Sequence, residues 1–305
     1  MSFGAKEVKE LREKTGAGMM DCKKALTETS GNIEEAVDFL RAKGLAAAAK
    51  KASRIAAEGL IGSVVEGNVG VVVEINCETD FVAKNEDFKK FVTDMANFLI
   101  TINASDVEAL KAEKMGDRTV SEVVQELTLK IGEKIDIRRF NKRTISTDGK
   151  VGSYVHGGKI GVLVEVESDK AEATKSQEFN DLISDICLHT AAASPKFLSA
   201  SDIDEDFKKR ESEVYEAQLK EQGKPDNMIP NIIKGKLNKL ASEVCLLEQK
   251  FVKDPDLSIA KLVAQVGEKI GATLTVKGFD KLDLGSGIEK KEDNLAEEVA
   301  KLTQG

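Results

Sequence analysis

The chain has 305 residues, of which 41% are hydrophobic and 32% charged, and its formal net charge is −8. That length supports two or three domains with cores of their own, and the composition excludes a fibrous or disordered chain. The acidic balance argues against nucleic acid as a ligand: neutralising phosphates needs a clustered basic face, and the most basic run, Lys43 to Arg54, is short and alanine-rich.

From the N-terminus, Val8 and Leu11 space one amphipathic turn before a Gly16-Ala17-Gly18 break. Asp21 reads as the cap of a short helix through Leu26 that stops near Gly31. A third helix follows Asn32, with Ile33, Ala36, Val37 and Leu40 on one face, Glu35 placed to complete a capping box and Gly44 as terminator. These three helices form a small module whose loop, Gly16 to Met20, offers a contact surface; Ala46 to Ala57 reads as a basic helical linker out of it, so the first domain is 1–53.

Next comes a buried strand, Val69 to Val73, and then the segment Glu74-Ile75-Asn76-Cys77-Glu78-Thr79-Asp80-Phe81-Val82-Ala83-Lys84-Asn85, read as a polar turn holding one large aromatic. Aromatic residues are only 5% of this chain and tryptophan is absent, so Phe81 beside Asp80 is either a staple under the next helix or a probe aimed at a partner.

An internal repeat sets the architecture. Gly62 to Glu74 is echoed by Gly152 to Glu165, each reading as two strands around a Gly-rich turn. An amphipathic helix follows each pair, with Phe88, Phe91, Val92, Met95 and Leu99 in the first copy and Phe179, Leu182, Ile183 and Ile186 in the second. Each copy ends in a helix and a strand, and Lys130-Ile131-Gly132-Glu133-Lys134-Ile135 is echoed by Gln265-Val266-Gly267-Glu268-Lys269-Ile270. The fold class is therefore α+β, with a duplicated β-β-α-α-β core over 54–146 and 147–284. The second copy carries an insertion over 204–252, where Ile233, Leu237, Leu240, Val244 and Leu247 have coiled-coil spacing and Phe207, Val214 and Leu219 form a weaker facing stripe. Gln222-Gly223-Lys224-Pro225 breaks the two, giving an antiparallel helical hairpin; two further core helices are the alternative.

No catalytic constellation is present, so the expectation is a protein that is not an enzyme and takes no cofactor or metal. The two histidines, His156 and His189, are no zinc set, there is no phosphate-binding loop, and Cys77 reads as a small buried residue at a strand end. The four scattered cysteines suit reduced thiols. No apolar run reaches the roughly 18 residues of a spanning helix, and Met1 to Arg12 lacks the apolar centre of a secretory signal, which together predict a cytoplasmic protein with no membrane contact.

Two segments, Leu11-Arg12-Glu13-Lys14-Thr15-Gly16-Ala17-Gly18-Met19-Met20-Asp21-Cys22-Lys23-Lys24-Ala25-Leu26 and Glu74 to Lys84, closely resemble the signature motifs of bacterial elongation factor Ts. The resemblance extends through the repeat, the hairpin break at Glu221 to Pro225, Val244 to Gln249 and the tail Gly285 to Glu289. It implies a guanine nucleotide exchange factor in protein biosynthesis, one that binds elongation factor Tu in GDP-bound and nucleotide-free states and promotes GDP release. It also implies a UBA-like first module and a C-terminal helical module over 285–305, with a contact helix near Asn294 to Leu302. By the same resemblance, Thr79, Asp80, Phe81 and Val82 form a wedge beside the partner's magnesium site. Met19, Met20, Ile131, Gly132 and His156 supply other contacts. The hairpin is left open between contact with the partner and a homodimer, and a binding scaffold without exchange activity is the alternative function. The second copy has Lys170 and Ala171 where the first has Thr79 and Asp80, so the hairpin scaffold itself does not demand the wedge sequence.

Overall fold

The computed structural model describes residues 3–289. The helix expected near Asn294 to Leu302, and most of the 285–305 module, lie outside the described residues.

Three helices open the chain: α1 (Ala5–Thr15), α2 (Met19–Glu28) and α3 (Ile33–Lys51). They enclose a core of their own around Leu11, Cys22, Ala25, Leu26, Ala36 and Leu40. Asn32 caps α3, its side chain accepting from the amides of Glu34 and Glu35 while donating to the Glu35 carboxylate. Two expectations fail here for physical reasons. Gly18, not Asp21, precedes α2, and Asp21 lies in the first turn paired with Lys43. Gly44 does not end its helix; α3 runs on to Lys51, passing beside the Gln125 backbone, and an isolated glycine within a helix is tolerated.

The next elements are β1 (Glu58–Glu66), β2 (Val69–Cys77), α4 (Asp80–Ala83), α5 (Glu86–Thr101), α6 (Val107–Ala112), β3 (Lys114–Met115), β4 (Arg118–Thr119), α7 (Val120–Ile131) and β5 (Asp136–Thr144). They are followed by β6 (Gly149–His156), β7 (Ile160–Ser168), a short 3-10 helix (Ala171–Lys175), α8 (Gln177–Ala193), α9 (Glu205–Glu221), α10 (Ile229–Val244), β8 (Lys250–Phe251), β9 (Asp254–Ser258), α11 (Ile259–Ile270) and β10 (Leu274–Asp283). Helices segregated from antiparallel sheets make this an α+β fold. Two sheets of three strands have orders β1-β2-β5 and β6-β7-β10, each with its second strand in the middle. The bulges also correspond, at Arg138 in β5 and Lys277 in β10.

The sheets stack face to face with helices outside. Along β2, Val71, Val73 and Ile75 point at α5 and α7, while Val72 points at the other sheet; along β7, Val162, Val164 and Val166 point at α8 and α11, and Leu163 inward. A strand covered on both faces explains the continuous apolar run. Glu74 and Asn76 belong to that strand and are buried, so the polar turn begins only after Cys77.

α7 and α11 have 12 residues each and end in left-handed glycines, Gly132 and Gly271. Gly132 therefore corresponds to Gly271, and the echo of Gly132 in Gly267 is out of register by one helical turn: Gly267 is buried inside α11, where a side chain would meet the Ala272 carbonyl.

The hairpin forms as α9 and α10, with the start of α9 at the end of α10 around Phe207, Ala241 and Val244. Leu219 is buried, but Val214 faces solvent, and Tyr215 turns to α10 instead, its ring 4.9 Å from Lys236 Nζ. Leu247 lies beyond α10, packing against the second core, because the helix ends at Val244. No helix among the described residues is long and apolar enough to cross a membrane.

Candidate functional site

β2 delivers the chain to a single helical turn, α4, which is too short to hold itself. Four attachments fix it. The Thr79 hydroxyl oxygen caps it, accepting from the Val82 amide at 3.4 Å. Val82 is only 9% exposed and packs into the core beside Phe88, and the Cys77 thiol donates to the Thr79 carbonyl at 3.1 Å. The Glu133 carboxylate then accepts three bonds: from the amides of Glu78 (3.1 Å) and Thr79 (3.0 Å) at one oxygen and from the Thr79 hydroxyl (2.7 Å) at the other. Glu78 answers in the opposite direction, accepting from the Lys134 amide at 2.6 Å and from Arg54 Nη1 at 3.1 Å.

With Val82 turned inward, the adjacent side chains turn outward. Phe81 is 80% exposed, which rules out the staple, and Asp80 is exposed beside it. Lys84 sits one turn on, its Nζ 2.7 Å from Asp80 Oδ2 and 5.8 Å from the Phe81 ring centre. The hydrogen bond from Lys84, with the charges of Lys84 and Lys159, outweighs desolvation and holds the Asp80 carboxyl below the usual carboxylate range. An anchored turn thus presents an aromatic ring and a carboxylate together, a combination able to enter a partner's cavity and bring negative charge with it.

The other expected contact residues fall in two places. Ile131 packs against the first core, and Gly132 caps α7 at φ 89°, its amide donating to the Thr128 carbonyl at 3.0 Å; the chain then runs directly into Glu133, so this loop abuts the turn that carries Asp80 and Phe81. His156 is exposed at the end of β6 with its Nδ1 2.9 Å from the Tyr154 hydroxyl. Its turn is anchored to β1 by the Ile61 amide donating to the Gly158 carbonyl at 2.8 Å, and it carries Lys159, whose charge reaches Asp80. Met19 and Met20, 60% and 73% exposed, lie elsewhere. They line an apolar groove with Phe3, Val8 and the stems of Arg12 and Lys23, of about 680 Å³.

Burial, reinforced by the Glu133 charge, pushes the Cys77 thiol up to about 12, so it stays protonated at neutral pH and is no nucleophile. Among the described residues no three His, Cys, Asp or Glu side chains are grouped to hold a metal ion. Glu133, Glu78 and Lys84 were not singled out by the sequence reading. The signal for Glu133 is its counterpart Ala272, visible once the two capping glycines are aligned.

Comparison with known proteins places this turn within a larger match. The model of the family described as Elongation factor TS matches residues 78–286. Curated relatives named elongation factor Ts include one from Clostridium perfringens, 49% identical over 302 residues that cover 98% of both chains. One from Trichlorobacter lovleyi is 49% identical over 307 residues, again 98% of both chains. One from Rickettsia bellii is 47% identical over 312 residues, covering all of this chain and 99% of the relative.

Proposed function

This chain belongs to the elongation factor Ts family of translation elongation factors, and on that premise we propose that it is a cytoplasmic guanine nucleotide exchange factor for elongation factor Tu, with no catalytic site of its own. Thr79 to Val82 form its wedge: Thr79 and Val82 hold the turn, Phe81 enters the partner, and Asp80 disturbs the magnesium and phosphate site. The observation that carries this is the 80% exposure of Phe81 on a turn anchored on either side, at Thr79 and at Val82. Burying a Phe side chain contributes about 1.5–3 kcal/mol. Since each decade of affinity is about 1.4 kcal/mol, Phe81 alone offsets roughly one to two decades of GDP binding. Exchange is then negative coupling between two ligands of elongation factor Tu and is reciprocal: GDP weakens the hold of this chain on its partner by the same factor.

The first three helices, with linker to residue 53, act in this reading as a UBA-like module that meets the partner through Met19 and Met20 in their apolar groove. The equal strand orders and matching bulges favour a duplicated core with divisions near 146 and 284, whose Ile131, Gly132 and His156 add contacts around the wedge. The helical hairpin over 204–252 is an appendage to the second copy.

The test is the release of labelled GDP from the cognate elongation factor Tu. Catalytic amounts of this chain accelerate it, and an unchanged rate at saturating chain would leave only a scaffold. Asp80→Ala with Phe81→Ala slows the acceleration with circular dichroism unchanged; a double variant as fast as the parent rejects the wedge.

A further inference from the structure

The two halves of the core supply an internal control for the wedge turn. Glu78 accepts from the Lys134 amide, and at the corresponding place in the second half Asp169 accepts from the Thr273 amide at 2.7 Å. That contact joins the end of a middle strand to the loop after a helix in both halves, so it serves the shared scaffold. Val82 and its counterpart Ala173 are likewise both buried. The bonds to Glu133 are different. Its counterpart is Ala272, which has no group to offer, and Lys170, in the place of Thr79, reaches the Gly271 carbonyl instead. The carboxylate exists only where an aromatic and an acid must be displayed.

We infer that Glu133 is a positioning residue for nucleotide exchange, its carboxylate gripping the Glu78 and Thr79 amides and the Thr79 hydroxyl so that Asp80 and Phe81 are presented in one fixed orientation. A turn of four residues has little stability of its own, and a side chain displayed on a loose turn must be ordered at the moment of binding, which weakens its effect. The same loop is tied further: Lys134 Nζ donates to the carbonyls of Ala52 (2.8 Å) and Arg54 (3.0 Å), just past α3. The grip on the turn is therefore set against the end of the long N-terminal helix as well as against the core.

For its rate measurement this inference rests on the exchange reading above, but its mobility measurement does not. The chain contains no tryptophan, so Phe81→Trp creates a single reporter at the tip of the turn. In that background Glu133→Ala raises the fast, large-amplitude component of the fluorescence anisotropy decay. Glu133→Gln restores the slow decay, because an amide oxygen can accept from both backbone amides while its NH2 donates to the Thr79 hydroxyl oxygen. In the native background Glu133→Ala lowers the maximal GDP release rate from elongation factor Tu roughly tenfold, Glu133→Gln stays close to the parent, and binding to nucleotide-free partner changes much less. Added to Asp80→Ala with Phe81→Ala, Glu133→Ala has no further effect on the rate, since its action passes through those two side chains. Identical anisotropy decays for the parent and Glu133→Ala reporters overturn the positioning role, as does an undiminished rate or a full further loss on the double variant. A parent chain that fails to accelerate GDP release rejects the exchange reading, and the anisotropy comparison still decides whether Glu133 holds the turn.

Discussion

Asp80 and Phe81 are exposed because the residues around them have no freedom to turn. Thr79 is held by Glu133 and Val82 is locked in the core, while Lys84 pairs with Asp80 at the exposed surface. Replacing an exposed ring changes few internal contacts, so Phe81→Ala shifts unfolding stability by no more than about 0.5 kcal/mol. The same substitution removes the ring from the proposed interface and lowers the acceleration of GDP release by one to two decades, following the approximate burial energy of a Phe side chain. Urea unfolding and labelled-GDP release on one preparation separate these effects, and a loss of stability comparable to the loss of rate contradicts the assignment. The turn was legible as a feature because Asp80 and Phe81 are conspicuous by type and by their absence from the second half, while the wedge role proposed for it came from the family resemblance. Its support was hidden: Glu133 is 54 residues from Thr79, and repeat motifs matched by similarity alone put Gly132 against Gly267, concealing the Glu133 to Ala272 difference.

At the level of elements, glycine decides how closely the layers approach. Gly62 and Gly152 lie under α5 and α8, where an added methyl would meet Val92 and Ile183; Gly70 and Gly161 lie between the sheets, against Val151 in one case and Ile61 with Val72 in the other. Gly161 has no unusual backbone angle, so its requirement is one of space. Gly161→Ala forces the two sheets apart and costs about 1–3 kcal/mol. Gly235, inside α10 with nothing near its missing side chain, is the opposite case, and Gly235→Ala stabilises by about 0.5–1 kcal/mol through helix propensity. Denaturant midpoints at unchanged slope measure both; equal effects of the two substitutions contradict the layered packing argument. Periodicity alone revealed the helix faces of α5 and α8 and the buried middle strands, since burial on one stripe or both faces writes itself into the pattern. It did not reveal that α3 runs on through Gly44, because an isolated glycine inside a helix is tolerated and the segment packed beside it, around Gln125 in α7, is about 80 residues away in sequence.

Across the whole molecule, buried polar groups tie distant segments together and make stability depend on pH in two separate windows. Glu74 is fully buried in β2 and accepts from Arg138 Nη1 (2.9 Å), Arg139 Nε (2.6 Å) and the Gly285 amide (2.8 Å), joining the first sheet to the chain leaving β10. Burial pushes its carboxyl up, but the Gly285 amide and the two guanidinium groups outweigh that and hold it below the ordinary 4.5. Because the folded value is the lower one, the unfolded chain takes up this proton first: the stabilisation is complete above about 4.5 and lost as pH falls through the folded value. Glu74→Gln leaves Arg138 and Arg139, both only part-buried and each still bonded to a backbone carbonyl, without their charge partner and costs about 1–3 kcal/mol at neutral pH, a difference that shrinks in acid. His189 governs the milder window. The Val252 amide donates to its Nδ1 at 3.3 Å, so Nε2 carries the proton and donates to Gln249 Oε1 at 3.0 Å, clamping α8 to the segment after α10. Desolvation lowers its pKa below 6.5, so the unfolded chain binds the proton more readily and stability falls as pH drops through 6.5. Urea unfolding from pH 8 to pH 3 therefore gives a first decline beginning near 6.5, absent in His189→Gln, and a second below about 4.5 that Glu74→Gln flattens. A parent curve flat between 6.5 and 4.5 would mean that His189 protonates as readily in the folded chain as in the unfolded one and would overturn this assignment.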